Sequence, residues 1–266
     1  MRKSSAYVSR MPDARGHIHY TEEENRVWHD LITTQLPRLE GRACEEYIRA
    51  LDRMAFPQDR IPQLAEVSAV LLDHTGWSVT PVPALIDFST LFELLASRRF
   101  PAATFIRDRD EISYLREPDI FHEIFGHTPL LTEPRFAAFC EAFGKAGMAA
   151  DPADHSMLAR LFWFTVEFGL IRTPGGVRSY GAGIVSSPGE LTHALEDDVP
   201  QRKRLDVVEA LRTPYRIDIF QSIYFTIDSF DELYDLAKRD LPGYINQARR
   251  KGMLAPARPG RQNARQ

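Results

Sequence analysis

Cysteine is nearly absent from this 266-residue chain, which carries only Cys44 and Cys140. Two thiols are too few for a disulfide scaffold, so the sequence predicts a reducing, cytoplasmic setting. Long apolar runs are missing too. None approaches the roughly 20 residues needed to cross a bilayer. The opening MRKSSAYVSRMPDARGHIHY lacks the apolar core of a signal peptide. Neither sign of charge dominates, with 33 Lys and Arg against 37 Asp and Glu and a net charge of −4. That gives no general attraction to nucleic acid or to an anionic membrane. Glycine is sparse where a dinucleotide fingerprint would need it: Tyr180-Gly181-Ala182-Gly183-Ile184-Val185-Ser186-Ser187 has too few, at the wrong spacing. Those glycines do allow a ligand or another backbone to come close. No internal repeat or linker divides the chain. At 44% apolar and 26% charged residues, one soluble globular domain over 1–266 is expected, flexible at about 1–20 and 251–266.

What is present is concentrated in Pro118-Asp119-Ile120-Phe121-His122-Glu123-Ile124-Phe125-Gly126-His127-Thr128-Pro129. Imidazoles with neighbouring carboxylates are the usual makings of a metal site. A zinc-protease His-Glu-x-x-His motif puts both histidines on one helix face. Here the spacing is one residue longer, which on a continuous α-helix sets His122 and His127 about 140° apart. Both can reach one ion only where the helix distorts or ends, and Gly126 with Pro129 offers such an end. Without a third ligand, a packed and an exposed histidine would explain the pair equally well. Glu167 is the candidate third ligand. It lies between Val166 and Phe168 in an apolar stretch, where an unpaired charge is costly. Its cation is either a metal ion or a basic side chain such as Arg160. Two histidines and one carboxylate leave open coordination positions and suit non-haem Fe(II).

Around these residues the pattern is mainly helical with a few short strands. Thr21 and Glu24 make a capping box for a helix ending at Pro37. Further helices are expected over Cys44–Met54, Pro62–His74 with a stop near Gly76, Leu85–Arg99, Phe136–Gly147 and Ser156–Glu167. Trp77–Val82 reads as extended, Thr173–Gly176 as the turn of a small hairpin, and Tyr215–Phe230 as a strand. Asp231–Arg250 reads as a closing helix broken at Pro242. Asp108–Glu111 is a solvated charge run. Arg107, directly behind an apolar stretch, is placed to clamp a carboxylate with its planar fork.

Three blocks together carry a resemblance. Arg107 precedes Glu117-Pro118-Asp119-x-x-His122-Glu123-x-x-Gly126-His127-x-Pro129-Leu130. Trp163-Phe164-Thr165-Val166-Glu167-Phe168-Gly169-Leu170 follows, and then Tyr180-Gly181-Ala182-Gly183-x-x-Ser186-Ser187. In this the chain resembles the pterin-dependent aromatic amino acid hydroxylases, with weaker similarity from about Gly41 to Tyr244. The resemblance implies an α+β catalytic-domain fold. It also implies a ferrous ion on His122, His127 and Glu167, with dioxygen and a tetrahydropterin as co-substrates.

By position, Arg107 oriented by Asp119 would hold the substrate carboxylate, and Pro118, Trp163, Phe168 and Gly183 would line its ring pocket. Ser186 would hydrogen-bond near His122. Glu123 would face pterin and solvent as a catalytic group. Leu85, Ile86, Leu91, Phe92 and Ala159 would border the pterin. Two positions depart from the family: Leu91 stands where a pterin-stacking phenylalanine is common, with Phe92 next to it, and Phe162 stands where a tyrosine is usual. Trp163 and the apolar Ile217 favour phenylalanine as substrate over tryptophan and tyrosine. The motif lies too near the start for the regulatory domain of the animal members and no C-terminal heptad run for tetramerisation is present, so a monomer, or at most a weak dimer, is expected, with a pterin carbinolamine dehydratase as functional partner. Two rivals use the same ligands: a zinc hydrolase, which the histidine spacing disfavours, and a non-catalytic amino-acid sensor.

Overall fold

Helix α1 (Glu22–Leu39) opens where expected. Thr21 Oγ1 accepts from the Glu24 amide at 3.2 Å, and the Glu24 carboxylate accepts from the Thr21 amide at 2.7 Å. Pro37 does not end it. The helix runs on to Leu39, because buried Val27, Trp28, Leu31, Ile32 and Leu39 hold it to the core and outweigh one lost N–H near its end. The chain is described as a computed structural model covering residues 7–112 and 117–256. Most of the expected flexible tail, 257–266, and residues 1–6 lie outside it.

After α2 (Glu45–Met54) and α3 (Leu64–Thr75), Gly76 closes the latter at φ 75°. Strand β1 (Ser78–Val82) then leads through α4 (Phe88–Ala96) to β2 (Arg99–Ala103). The two strands pair in parallel, from Ser78 beside Arg99 to Val82 beside Ala103, with the helix as crossover. The helix expected over Leu85–Arg99 is therefore shorter. Asp87 accepts from the Thr90 amide at 2.8 Å and starts it late, while Arg98 at φ 54° turns the chain into β2.

A π-helix (Phe121–His127) comes next, then α5 (Thr128–Leu131), α6 (Pro134–Ala149) and α7 (His155–Phe162). A second π-helix (Trp163–Glu167) follows directly. Strands β3 (Gly169–Thr173) and β4 (Gly176–Ser179) form the expected hairpin. Then come α8 (Ala182–Val185), α9 (Pro188–Leu195), β5 (Gln201–Arg204), α10 (Val207–Arg212) and β6 (Ile223–Ile227). The order β4-β3-β6-β5 makes a mixed sheet, parallel across β3-β6 and β5-β6. All five β6 residues are buried, so the strand is a short apolar run rather than the long alternating one read over Tyr215–Phe230. The closing helix is two, α11 (Phe230–Lys238) and α12 (Leu241–Lys251). Pro242 sits in the first turn of α12, where its missing N–H costs nothing.

Helices α4 and α6 cross at Gly144. A Cβ there would lie 2.4 Å from the Ala96 nitrogen and 2.8 Å from Leu95 Cβ. Backbone cannot yield as a side chain can, so Gly144→Ala is expected to destabilise the fold by about 1–3 kcal/mol. Urea unfolding monitored by circular dichroism measures it; an unchanged midpoint would refute the close crossing.

Both cysteines are free and buried. Burial pushes the Cys44 thiol up to about 12, and Cys140 higher still. Neither is expected to react with an aromatic disulfide reagent at pH 8 in the native protein, while both react in denaturant. Rapid native labelling of either would contradict this packing. No helix among the described residues is long and apolar enough to cross a membrane.

Candidate functional site

The five-residue histidine spacing is reconciled by the helix type. In a π-helix each N–H bonds to the carbonyl five residues back, so residues five apart share a face. His122 and His127 fall in such a helix, which distorts around the pair rather than ending at Gly126. Tertiary contacts hold the wider turn open. The Tyr47 hydroxyl donates to the Phe125 carbonyl, and the Gly126 face carries α8, where a Cβ would sit 3.0 Å from the Ala182 carbonyl oxygen. The second π-helix shows the same bond, from the Phe168 amide to the Trp163 carbonyl at 2.8 Å. It ends on Glu167.

These helices bring the three predicted ligands together. His122 Nε2 and His127 Nε2 are 3.1 Å apart, and Glu167 oxygens lie 3.4 Å from the first and 3.2 Å from the second. Arg160 is elsewhere, donating to the Leu211 carbonyl at 3.0 Å. Burial would raise the Glu167 carboxyl, but His127 and His122 overcome it and hold it well below the usual carboxylate range. Burial lowers His127. It acts likewise on His122, where the hydrogen bond and charge of Glu167 win and raise it.

Ser186 decides which His122 nitrogen is free. Its hydroxyl donates to the Ala182 carbonyl at 2.7 Å, so its oxygen must accept from His122 Nδ1 at 3.1 Å. In the neutral imidazole that leaves the Nε2 lone pair aimed at His127 Nε2 and Glu167, a donor set that a divalent cation would satisfy. Among the described residues His127 Nδ1 is buried without a hydrogen-bond partner.

Glu123 stands at the same place. One atom each from His122, Glu123 and His127 lie within 4.8 Å of one another. Burial pushes the Glu123 carboxyl up to about 8; Glu167 and Asp119 add to the rise and His122 opposes it. The other ligand-type group among the described residues, Asp13 with His17 and His19, is wholly exposed.

Arg107 and Asp119 meet as a two-pronged pair: Nε to Oδ2 at 2.8 Å and a terminal nitrogen to Oδ1 at 2.9 Å, both side chains buried. Asp119 also accepts from the His122 amide at 3.0 Å, which ties the arginine to the first π-helix. Burial works against ionising Asp119, and the Arg107 guanidinium overcomes it, holding the carboxyl below its ordinary range. Pro118 beside it is exposed.

The half-buried rings of Trp163 and Phe168 lie 4.5 Å apart. Gly183 is needed there, since a Cβ would come within 2.6 Å of the Phe168 ring.

The expected pterin residues are placed less uniformly. Leu85 is exposed and Ile86, Leu91 and Ala159 are half-buried. Phe92 does not fit that role. It is 1% exposed, its ring edge-on to Phe143 and His155 and against Gly147. Adjacent helix positions point about 100° apart, so Phe92 cannot take the place of Leu91. The exposed ring on α4 is Phe88, at 42%, one turn earlier. Phe162 packs on Phe143 at 5.6 Å. Ile217 lies 59% exposed in the loop before β6. Two residues of that region escaped the sequence reading. Tyr215 stacks on Trp163 at 4.1 Å, and Gln221 accepts from the Trp163 indole N–H at 3.0 Å. No local pattern marks either one.

Residues 2–254 match the family model described as biopterin-dependent aromatic amino acid hydroxylase. The chain belongs to that family. It is 51% identical to the phenylalanine-4-hydroxylase of Pseudomonas aeruginosa over 98% of this chain and 100% of that one. Among solved structures it resembles the apo phenylalanine hydroxylase of Colwellia psychrerythraea. There the TM-score is 0.91 at 48% identity, covering 94% of this chain and 97% of that chain. A Chromobacterium violaceum phenylalanine hydroxylase with bound oxidised Fe(III) matches with TM-score 0.86 at 43% identity, over 89% and 86% of the two chains. The mainly helical catalytic-domain fold expected from the sequence is the one observed.

Proposed function

We propose that this chain is a phenylalanine 4-monooxygenase. It converts L-phenylalanine to L-tyrosine with dioxygen and a tetrahydropterin, at a non-haem Fe(II) held by His122, His127 and Glu167. The observation that carries this is the convergence of those three side chains from two π-helices, with His122 fixed in the ligating tautomer. Bound iron would supply the activation of dioxygen, for which a two-histidine, one-carboxylate set leaves open positions.

The remaining roles belong to the chain itself. Ser186 holds the His122 ring. Arg107, steadied by Asp119, binds the substrate carboxylate with the N–H groups that Asp119 leaves free. Trp163, Phe168, Gly183 and Pro118 enclose the aromatic ring and keep water from it. Glu123 faces the pterin and the solvent beside the ligands as a catalytic group. Leu85, Ile86, Leu91 and Ala159 border the pterin, and Phe88 is the α4 ring available to it. The enzyme works as a cytoplasmic monomer over a single domain, and a pterin carbinolamine dehydratase restores the hydroxylated pterin.

The test is anaerobic loading with Fe(II), followed by tetrahydropterin, air and phenylalanine, with tryptophan and tyrosine as parallel substrates. Tyrosine that depends on iron and pterin is expected. Hydroxylated tryptophan alone would move the substrate assignment, and no product from any of the three despite bound iron would favour a sensor. Sedimentation at micromolar concentration checks the monomer.

A further inference from the structure

We infer that Gln221 is a positioning residue for the aromatic pocket, fixing the Trp163 indole and tying the loop at 215–220 beside it so that together they set the pocket's width. This rests on the hydroxylase reading of the site. Gln221 is 5% exposed, and every polar group it owns is engaged. Its side-chain oxygen accepts from Trp163 Nε1 at 3.0 Å, and its side-chain nitrogen donates to the carbonyls of Arg216 at 2.8 Å and Ile219 at 3.3 Å. Flipping the amide would set N–H against N–H and oxygen against two carbonyls, so only one orientation satisfies the network.

The backbone of Gln221 is held from α9. Its amide donates to Glu190 Oε1 at 3.1 Å, and its carbonyl faces His193 Nε2 at 3.1 Å. Glu190 Oε1 also accepts from the Tyr224 hydroxyl at 2.5 Å, and His193 Nδ1 lies 2.7 Å from Asp197. A hydrogen-bonded network buried at Gln221, Glu190, His193 and Tyr224, with Asp197 at its exposed edge, favours one arrangement. Its outlet is the indole. Trp163 is stacked on Tyr215 at 4.1 Å and 14°, and it also contacts Phe168 at 4.5 Å. Tyr215 opens the same loop whose carbonyls Gln221 holds. The carboxamide therefore grips the pocket wall twice, through the indole N–H and through the loop carrying the ring stacked on it.

The two grips separate by mutation. Gln221→Leu removes both and leaves the half-buried indole N–H without this acceptor. Gln221→Glu keeps an acceptor for Trp163 but turns a carboxylate oxygen on the loop carbonyls. For Gln221→Leu the KM for phenylalanine is expected to rise about tenfold, the scale of one lost hydrogen bond at the upper end of its range. The pterin KM should stay within about twofold and kcat within about threefold. Tryptophan use relative to phenylalanine should rise about fivefold as the wall loosens. Gln221→Glu should fall between Gln221→Leu and the parent. In a Trp163→Phe background, which lacks the indole N–H, the effect of Gln221→Leu on the phenylalanine KM should shrink to less than half.

Should Gln221→Leu not fold, Gln221→Glu and Gln221→Asn decide. Folded variants whose phenylalanine KM and substrate ratio both stay within twofold of the parent, or whose sole change is a lower kcat, overturn the inference. A parent that forms no tyrosine overturns the functional reading instead. Calorimetric binding of phenylalanine and tryptophan to parent and variants then still reads the pocket, and unchanged affinities count against Gln221.

Discussion

Glu167→Ala protein is expected to keep its fold and to lose tyrosine formation by at least about 10³-fold, with iron content falling towards zero. Loss of a partner outside the ligand shell typically costs 10–100-fold in metal affinity or activity, so loss of a ligand should exceed that range. Glu167 is the only anion within 3.4 Å of both imidazole Nε2 atoms among the described residues. Without it two neutral ligands remain, and the cation has no close counter-charge. The same convergence gives a readout independent of turnover. Iron at about 100 times its dissociation constant adds about 2.7 kcal/mol of stability by mass action. For a chain of this size that raises the Tm of the parent by roughly 5–10 °C. Glu167→Ala should show no iron-dependent rise, while its circular dichroism matches the apo parent. A variant that still takes up one iron per chain and makes tyrosine would remove Glu167 from the ligand set.

The second large effect is on stability. Asp119→Ala strands the Arg107 guanidinium in a site where it is 5% exposed, and it also removes the acceptor for the His122 and Arg107 amides. Breaking a buried pair from one side costs about 3–5 kcal/mol, because the remaining charge is left uncompensated. The expected fall in Tm is roughly 6–20 °C. A double variant, Arg107→Met with Asp119→Leu, removes both charges and should recover part of that loss, though not all, since two backbone amides still lack their acceptor. It should not recover phenylalanine binding, which needs the guanidinium. Thermal melts of the three proteins decide this. If the double variant is no more stable than Asp119→Ala, the uncompensated charge is not the cause.

The chemistry of the site was legible before its geometry. His122, His127 and Glu167 stand out because metal ligation depends on residue type, and Glu167 is an expensive residue in an apolar stretch. Arg107 is marked in the same way by the apolar run before it. Capping was equally local. Thr21 with Glu24 placed the start of α1, and Gly76 the end of α3, since both signals act within one turn. Periodicity failed where a segment's partners lie far along the chain. β6 is buried on both faces, so its outward alternation meant nothing. β2 went unread, and only its first residue, Arg99, was placed in the preceding helix, because its pairing with β1 is invisible locally.

By itself the sequence determined which side chains could bind a cation and clamp a carboxylate, and that the chain folds mainly as capped helices. These follow from donor chemistry and from interactions within one helical turn. Tertiary structure alone decided that histidines five apart share a face. A π-turn survives only where other elements pack on it or take up its carbonyls: Tyr47 takes that second role at Phe125, and α8 packs on Gly126. It also decided that Phe92 belongs to the core, that Phe88 is the exposed ring of α4, and that Gln221 reaches Trp163 across 58 residues of sequence. Burial and hydrogen bonds between distant segments set those outcomes, and no short window of sequence contains them.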